Sequence, residues 1–200
     1  MNLRLMMIRI LAAGLLLSLA LVALVVREDR ARASGREVIL PVQTVDPREL
    51  LTGHYAVLNF VQPLAALEAC PVGTGARALS AGEGASNWIV VARRGATDRV
   101  LRVAGGETPP RLGPGETAVR GRAWCDESPV WREGETPATI LRLDVGVTRF
   151  HADQATARAI ETSLRLREPQ AFAVLSVDAG GQARLKALTV GGRRYDLDWF

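Results

Sequence analysis

Between Ile10 and Val26 the chain carries no charged residue at all. Those 17 residues would span roughly 26 Å as a helix rising about 1.5 Å per residue. That is the short end of what crosses the roughly 30 Å hydrocarbon layer of a bilayer. Arg4 and Arg9 precede the run, as in the basic leader of a signal or signal-anchor segment. Ala31-Arg32-Ala33 has the small-x-small form of a cleavage site, but Arg27, Glu28, Asp29 and Arg30 separate it from the apolar run. The sequence therefore reads as an uncleaved anchor, with cleavage as the alternative. Residues 1–9 are a short tail, 10–26 a transmembrane signal-anchor, 27–36 a polar juxtamembrane linker and 37–200 one domain.

Charge narrows the partners. The formal net charge is +4, from 25 Lys and Arg against 21 Asp and Glu. Arg4 and Arg9 are the only charges before residue 27, so residues 27–200 carry 23 bases against 21 acids, net +2. Nearly all the bases are arginine, with Lys186 the single lysine. The balance does not indicate nucleic-acid binding. Arg27, Arg30, Arg32 and Arg36 are instead placed to meet anionic headgroups beside the anchor. Cys70 and Cys125 form no C-x-x-C motif; an oxidising compartment permits a disulfide between them, and two unpaired thiols are the alternative.

Val45 to Phe60 is the most structured stretch by pattern. Asp46 suits a helix N-cap, Pro47 the first helical position, and Glu49 the capping-box acid. Val45 and Leu50 are spaced as a hydrophobic staple, and Gly53 can stop the turn. Tyr55, Val57 and Asn59 then alternate with Ala56, Leu58 and Phe60, the period of a strand. This stretch resembles the signature of the GDYXXLXY family, bacterial membrane-anchored proteins without an established activity. Asp46, Pro47, Arg48, Leu50, Leu51 and Gly53 match the family's lead-in, and Tyr55 and Leu58 match named positions. His54 stands where the family has Asp, and Phe60 where it has Tyr. Arg149 to Glu161 is similar to a later family block, with Asp153 in place of Glu. Ala173 to Val190 resembles the family's closing hairpin. The motif residues Asp46, Pro47, Gly53, His54, Tyr55, Leu58 and Phe60 are thus a fold marker, in order with blocks spanning about residues 37–195.

Along the rest of the chain, Glu37–Gln43 and His54–Gln62 read as strands, and Pro63–Cys70 as a short helix. Residues 71–86 are rich in Gly, Ala and Ser and read as a loop. Asn87–Arg93 and Asp98–Ala104 flank a hairpin turn. Thr117–Cys125, Thr139–Val145, Ala171–Val177 and Gln182–Val190 alternate as strands, with Gly146 a bulge before Val147–His151. Asp153–Arg167 carries helical apolar spacing and is closed by Pro169. No fixed-period repeat and no βαβ alternation is present. The expected class is α+β: a mainly antiparallel β domain with one or two packed helices, preceded by a single N-terminal transmembrane helix.

Chemistry is sparse. His54 and His151 are the only histidines, and His151, Asp153 and Glu161 are the low-weight candidates for a site. Metal sites take three or four convergent ligands, and the sequence offers no third partner beyond His54, so no metal and no cofactor is expected. A Ser-Lys mechanism would have only Lys186 as base, and no G-x-S-x-G occurs. Trp88, Trp124, Trp131 and Trp199 suit core or interface packing, with a glycan platform as the alternative.

The expected role is a membrane-anchored extracytoplasmic binding or accessory module of the bacterial envelope. The alternatives are an envelope hydrolase using His54, His151 or Asp153, and a structural glycan-binding protein. A positive-inside count around the anchor favours the inverse topology, with two arginines before it and four soon after. The very short tail, the acids Glu28 and Asp29, and the family resemblance point to the domain lying on the periplasmic side of the inner membrane. The resemblance also implies an integral-membrane partner.

Overall fold

The computed structural model describes residues 3–44, 55–65, 68–72, 87–127, 139–151, 156, 160 and 171–197. A long N-terminal helix leads into a sheet of ten antiparallel strands. Helix α1 runs Leu3–Ser34, and the stretch Met6–Ser34 is long and apolar enough to cross a membrane. Its apolar side chains are exposed all round, as a lipid-facing helix requires. The expected linker at 27–36 is instead helical to Ser34. The physical reason is composition: Arg, Glu and Ala are good helix formers, and no Gly or Pro intervenes before Gly35.

The strands are β1 Arg36–Thr44, β2 Tyr55–Pro63, β3 Asn87–Arg94, β4 Thr97–Gly105, β5 Glu116–Glu127, β6 Thr139–Asp144, β7 Arg149–His151, β8 Ala171–Val177, β9 Ala183–Val190 and β10 Arg193–Asp196. Their order across the sheet is β10-β9-β8-β1-β2-β6-β5-β3-β4, with β7 also on β2. The expected strands fall within a residue or two of these bounds. The β3–β4 connection is a two-residue turn, Gly95-Ala96, with Gly95 at φ 66°. Only glycine takes such a φ at little cost. Among the described residues of Pro63–Cys70 none is helical: Glu68 N–H donates to Ala65 C=O while its own carboxylate accepts from Ala65 N–H. A side chain that bonds its own backbone neighbour competes with helix continuation.

Strand β1 divides its partners. Residues 36–42 pair with β8, and only residues 42–44 pair with β2. The remaining edge of β1 is met by side chains of β4. Ile39 N–H donates to the buried Asp98 carboxylate at 2.7 Å. Val100 N–H, on β4, donates to the buried Gln62 Oε1 on β2 at 2.9 Å. Strand β4, the far end of the sheet path, thus returns to β1 and β2. The run β1-β2-β6-β5-β3-β4 curls into a barrel-like closure, with β8, β9 and β10 extending from β1. Side chains replace the missing ladder, because a buried N–H without a partner is costly.

The core fills this curl. Val38, Leu40, Leu58, Phe60, Ile89, Val91, Val119, Leu141, Phe150, Ala173, Leu175 and Leu188 are all buried. Thr156 and Ile160 are helical, and Ile160 is fully buried in the core cluster; the rest of the expected 153–167 helix lies outside the described residues. Strand β8 is buried along most of its length, consistent with the near-continuous apolar run that encodes it.

Candidate functional site

The motif divides between described and undescribed residues. Asp46, Pro47, Gly53 and His54 lie outside the described residues, as do Asp153 and Glu161 of the second block and the tryptophans Trp131 and Trp199. Tyr55 opens β2, and its Cα register partner on β7 is His151. Leu58 and Phe60 are 3 % and 2 % exposed and belong to the core cluster. Those two signature positions therefore pack. The β6–β7 stretch is bulged opposite the motif: β2 takes three steps from Phe60 to Val57 while its partner takes six from Leu143 to Arg149. Gly146, at φ 75°, lies in the bulge, and Leu58 N–H donates to Thr148 C=O at 2.9 Å. Bulges of this kind re-aim a strand, and this one carries His151 back to the start of β2.

Cys70 and Cys125 are joined in a disulfide, tying the segment after β2 to strand β5.

The most elaborated polar region lies away from the sequence motifs, at the joint between α1 and the sheet. Glu28, near the end of α1, takes a 2.7 Å ion pair from Arg184 of β9. The same guanidinium reaches Asp178 at 2.7 Å. Asp178 also accepts from Gly180 and Gln182 N–H, which folds the β8–β9 turn on itself. Burial pushes the Asp178 carboxyl up, but the bond from Arg184 and the two backbone donors outweigh it, and the carboxyl is held below its ordinary value. Ser176 Oγ donates to Ala31 C=O at 3.4 Å. Gly35, the single residue between α1 and β1, abuts Ser176 and Val177 so closely that a Cβ there would overlap both.

Arg36 then donates to the carbonyls of Gly115 and Glu116, both at 3.0 Å. Glu116 is itself gripped by both terminal guanidinium nitrogens of Arg102, at 2.8 and 2.9 Å, and accepts from Gly113 N–H. Those bonds, the arginine's first, hold its carboxyl down at about 2. Above the β8–β9 turn, Arg120 donates its backbone N–H to Gly181 C=O and its Nε to Gly180 C=O. The Arg120 guanidinium lies 4.6 Å over the ring of Trp88. Between these parts is a cleft of about 450 Å³ lined by Ser34, Arg36, Trp88, Leu112, Ala118 and Val177 among others.

The family matching the sequence is described as GDYXXLXY protein, and the match covers residues 17–188. The chain belongs to the GDYXXLXY family. No curated protein and no solved structure matches it. The GDYXXLXY match begins inside α1, so it takes in the latter part of α1, the joint and the sheet as far as β9.

The joint escaped the sequence because its contacts are long-range. Glu28 and Arg184 are 156 residues apart, and Arg36 and Glu116 are 80 apart. One signal was present: the polar helix formers of residues 27–34, which argue against a flexible linker.

Proposed function

We propose that this GDYXXLXY protein is a membrane-anchored extracytoplasmic binding or accessory module that acts with an integral-membrane partner. The observation that carries the reading is the joint. An anchor that only retains a domain needs a loose tether, whereas here α1 passes through one glycine into β1 and is clamped to β8 and β9. Such a mount fixes the height and facing of the domain above the bilayer, which is useful when a second membrane-embedded component must be met in one geometry. The disulfide supports an oxidising, extracytoplasmic side.

The test is co-purification of the full-length chain from membranes, against a chain with a flexible Gly/Ser insert at Ser34. The reading expects an integral-membrane protein to be recovered with the first and lost with the second. Recovery of none with either would reject it. Labelling of a cysteine introduced in the exposed Gly191-Gly192 turn by a membrane-impermeant reagent on intact cells tests the sidedness.

An envelope hydrolase remains the rival, resting on the Tyr55–His151 register pair. Single substitutions of His54, His151 and Asp153 that each abolish an envelope phenotype would favour it. A glycan platform draws no support from Trp88, which is 2 % exposed beneath Arg120.

A further inference from the structure

We infer that the cleft at the anchor joint binds the polar head of a bilayer lipid, through an ester or phosphate oxygen. Four observations converge on it. First, the cleft sits beside the bilayer. The uncharged apolar run of α1 ends at Val26, and Ser34 in the cleft wall lies eight residues on, about 12 Å along the helix at 1.5 Å per residue. The β8–β9 turn reaches lower still, since Arg184 couples Asp178 to Glu28, only two residues past Val26. Asp178 and Ala179 of that turn are part of the cleft wall. The polar zone of a bilayer adds about 5–8 Å beyond the hydrocarbon on each side, so headgroups meet this face of the domain.

Second, the mouth is apolar where the rest of the surface is not. Leu112 is 47 % exposed, and among the described residues it is the only exposed large hydrophobic side chain outside α1. It follows Pro109, Pro110 and Arg111 in the loop between β4 and β5. A lone apolar tip next to an arginine suits the bilayer interface, where an apolar body and a cation are both accommodated.

Third, the acids of the wall are already neutralised. Glu116 is gripped by Arg102 and Asp178 by Arg184. The cleft therefore does not repel a phosphate as two free carboxylates would. Fourth, Trp88 lines the cleft, is 2 % exposed, and carries an indole Nε1 with no acceptor among the described residues. A buried donor of that kind is uncommon and calls for an acceptor. A lipid ester or phosphate oxygen would supply one. The stacked Arg120 and the close approach of Gly181 cover Trp88, so a sugar ring has no open aromatic face to stack on.

This inference does not depend on a protein partner, and its test is separate. A photo-reactive benzoylphenylalanine is placed at Leu112 in the full-length chain in native membranes, with Arg193 as control. Arg193 sits beyond Val190, at the end of β9 remote from the Asp178–Gly181 turn, about 23 Å along the strand at 3.3 Å per residue. Mass spectrometry of the irradiated protein should find lipid adducts at Leu112 at least about tenfold above Arg193. Trp88→Phe should lower them about fivefold, as for the loss of one hydrogen bond. Should Trp88→Phe fail to form the Cys70–Cys125 disulfide, Ala118→Leu, which narrows the cleft from another wall, takes its place with the same expected fall. Protein or glycan adducts at Leu112, equal lipid labelling at both positions, or adducts indifferent to the cleft variant would each overturn the assignment.

Discussion

Gly35 and Ser176 are in such close contact that the hydroxyl of the serine occupies the space a Cβ on the glycine would need. The backbone N and O of Val177 stand 2.9 and 3.0 Å from the same point. The glycine is required there by proximity, where the chain leaves α1 and enters the sheet. Gly35→Ala should cost about 1–3 kcal/mol, the range for overpacking a closed site. Ser176→Ala should recover part of that loss in the double variant, because it removes the nearest obstacle and leaves the Val177 backbone. Thermal unfolding of the four proteins in detergent measures the coupling. Strict additivity of the two substitutions would show that the contact is not what makes Gly35 necessary.

The disulfide closes a loop of 55 residues between Cys70 and Cys125. By chain entropy, a loop of that size contributes about 4 kcal/mol, with about 2–4 kcal/mol typical in practice. Cys70→Ser/Cys125→Ser should therefore lower the denaturant midpoint by a large fraction, since whole domains are stable by only about 5–15 kcal/mol. Urea titrations with and without reductant check it. The double variant should match the reduced wild type and lose all sensitivity to reductant.

Acid should act through the joint. The Glu116 carboxyl sits at about 2 rather than its ordinary 4.5, chiefly through its bonds from Arg102. Asp144 is lowered chiefly by its bond from Arg122, and Glu37 by its bond from Lys186. A carboxyl whose folded value is depressed adds stability that is complete above its unfolded value and fades as pH falls through the folded one. For Glu116 the window is pH 4.5 down to about 2. The melting temperature should fall across that interval, and Glu116→Gln should be less stable than wild type at neutral pH yet converge with it near pH 2. A constant gap between the two at all pH values would contradict the assignment.

Most of the sheet was legible in the sequence because alternation is local. Glycines at turns, such as Gly95 and the Gly191-Gly192 pair at φ 56° and 82°, mark the strand ends without reference to the rest of the molecule. The reach of α1 was misjudged because apolarity was used to end it at Val26, whereas propensity carries it to Ser34. Leu64 and Leu67 have helical spacing, but the Glu68 carboxylate accepts from Ala65 N–H three residues earlier and closes a turn there instead. What no local pattern could disclose is pairing at a distance. The barrel-like closure through Asp98 and Gln62, the clamp of Glu28 by Arg184, and the stacking of Arg120 on Trp88 each join residues from separate elements. The Tyr55–His151 register pair belongs to the same class, since it depends on the bulge that holds Gly146.

The closure through Asp98 makes the sharpest stability prediction. Its carboxylate is 5 % exposed as a residue, accepts Ile39 N–H at 2.7 Å, and lies 3.2 Å from the guanidinium of Arg93. Asp98→Ala would orphan a part-buried backbone donor and leave the cation without its partner on β4. Losses of that kind run to about 2–4 kcal/mol when both occur. Asp98→Asn keeps an oxygen that can accept from Ile39, so it should lose only the charge-assisted part, about 1 kcal/mol. Amide hydrogen exchange distinguishes a local from a global effect. In Asp98→Ala the Ile39 amide should exchange far faster, while amides of β9 such as Leu188, which pairs with Ala173 and Tyr195 remote from the closure, keep protection in proportion to the global loss. If Ile39 exchanges no faster than Leu188, the carboxylate is not what holds β4 against β1.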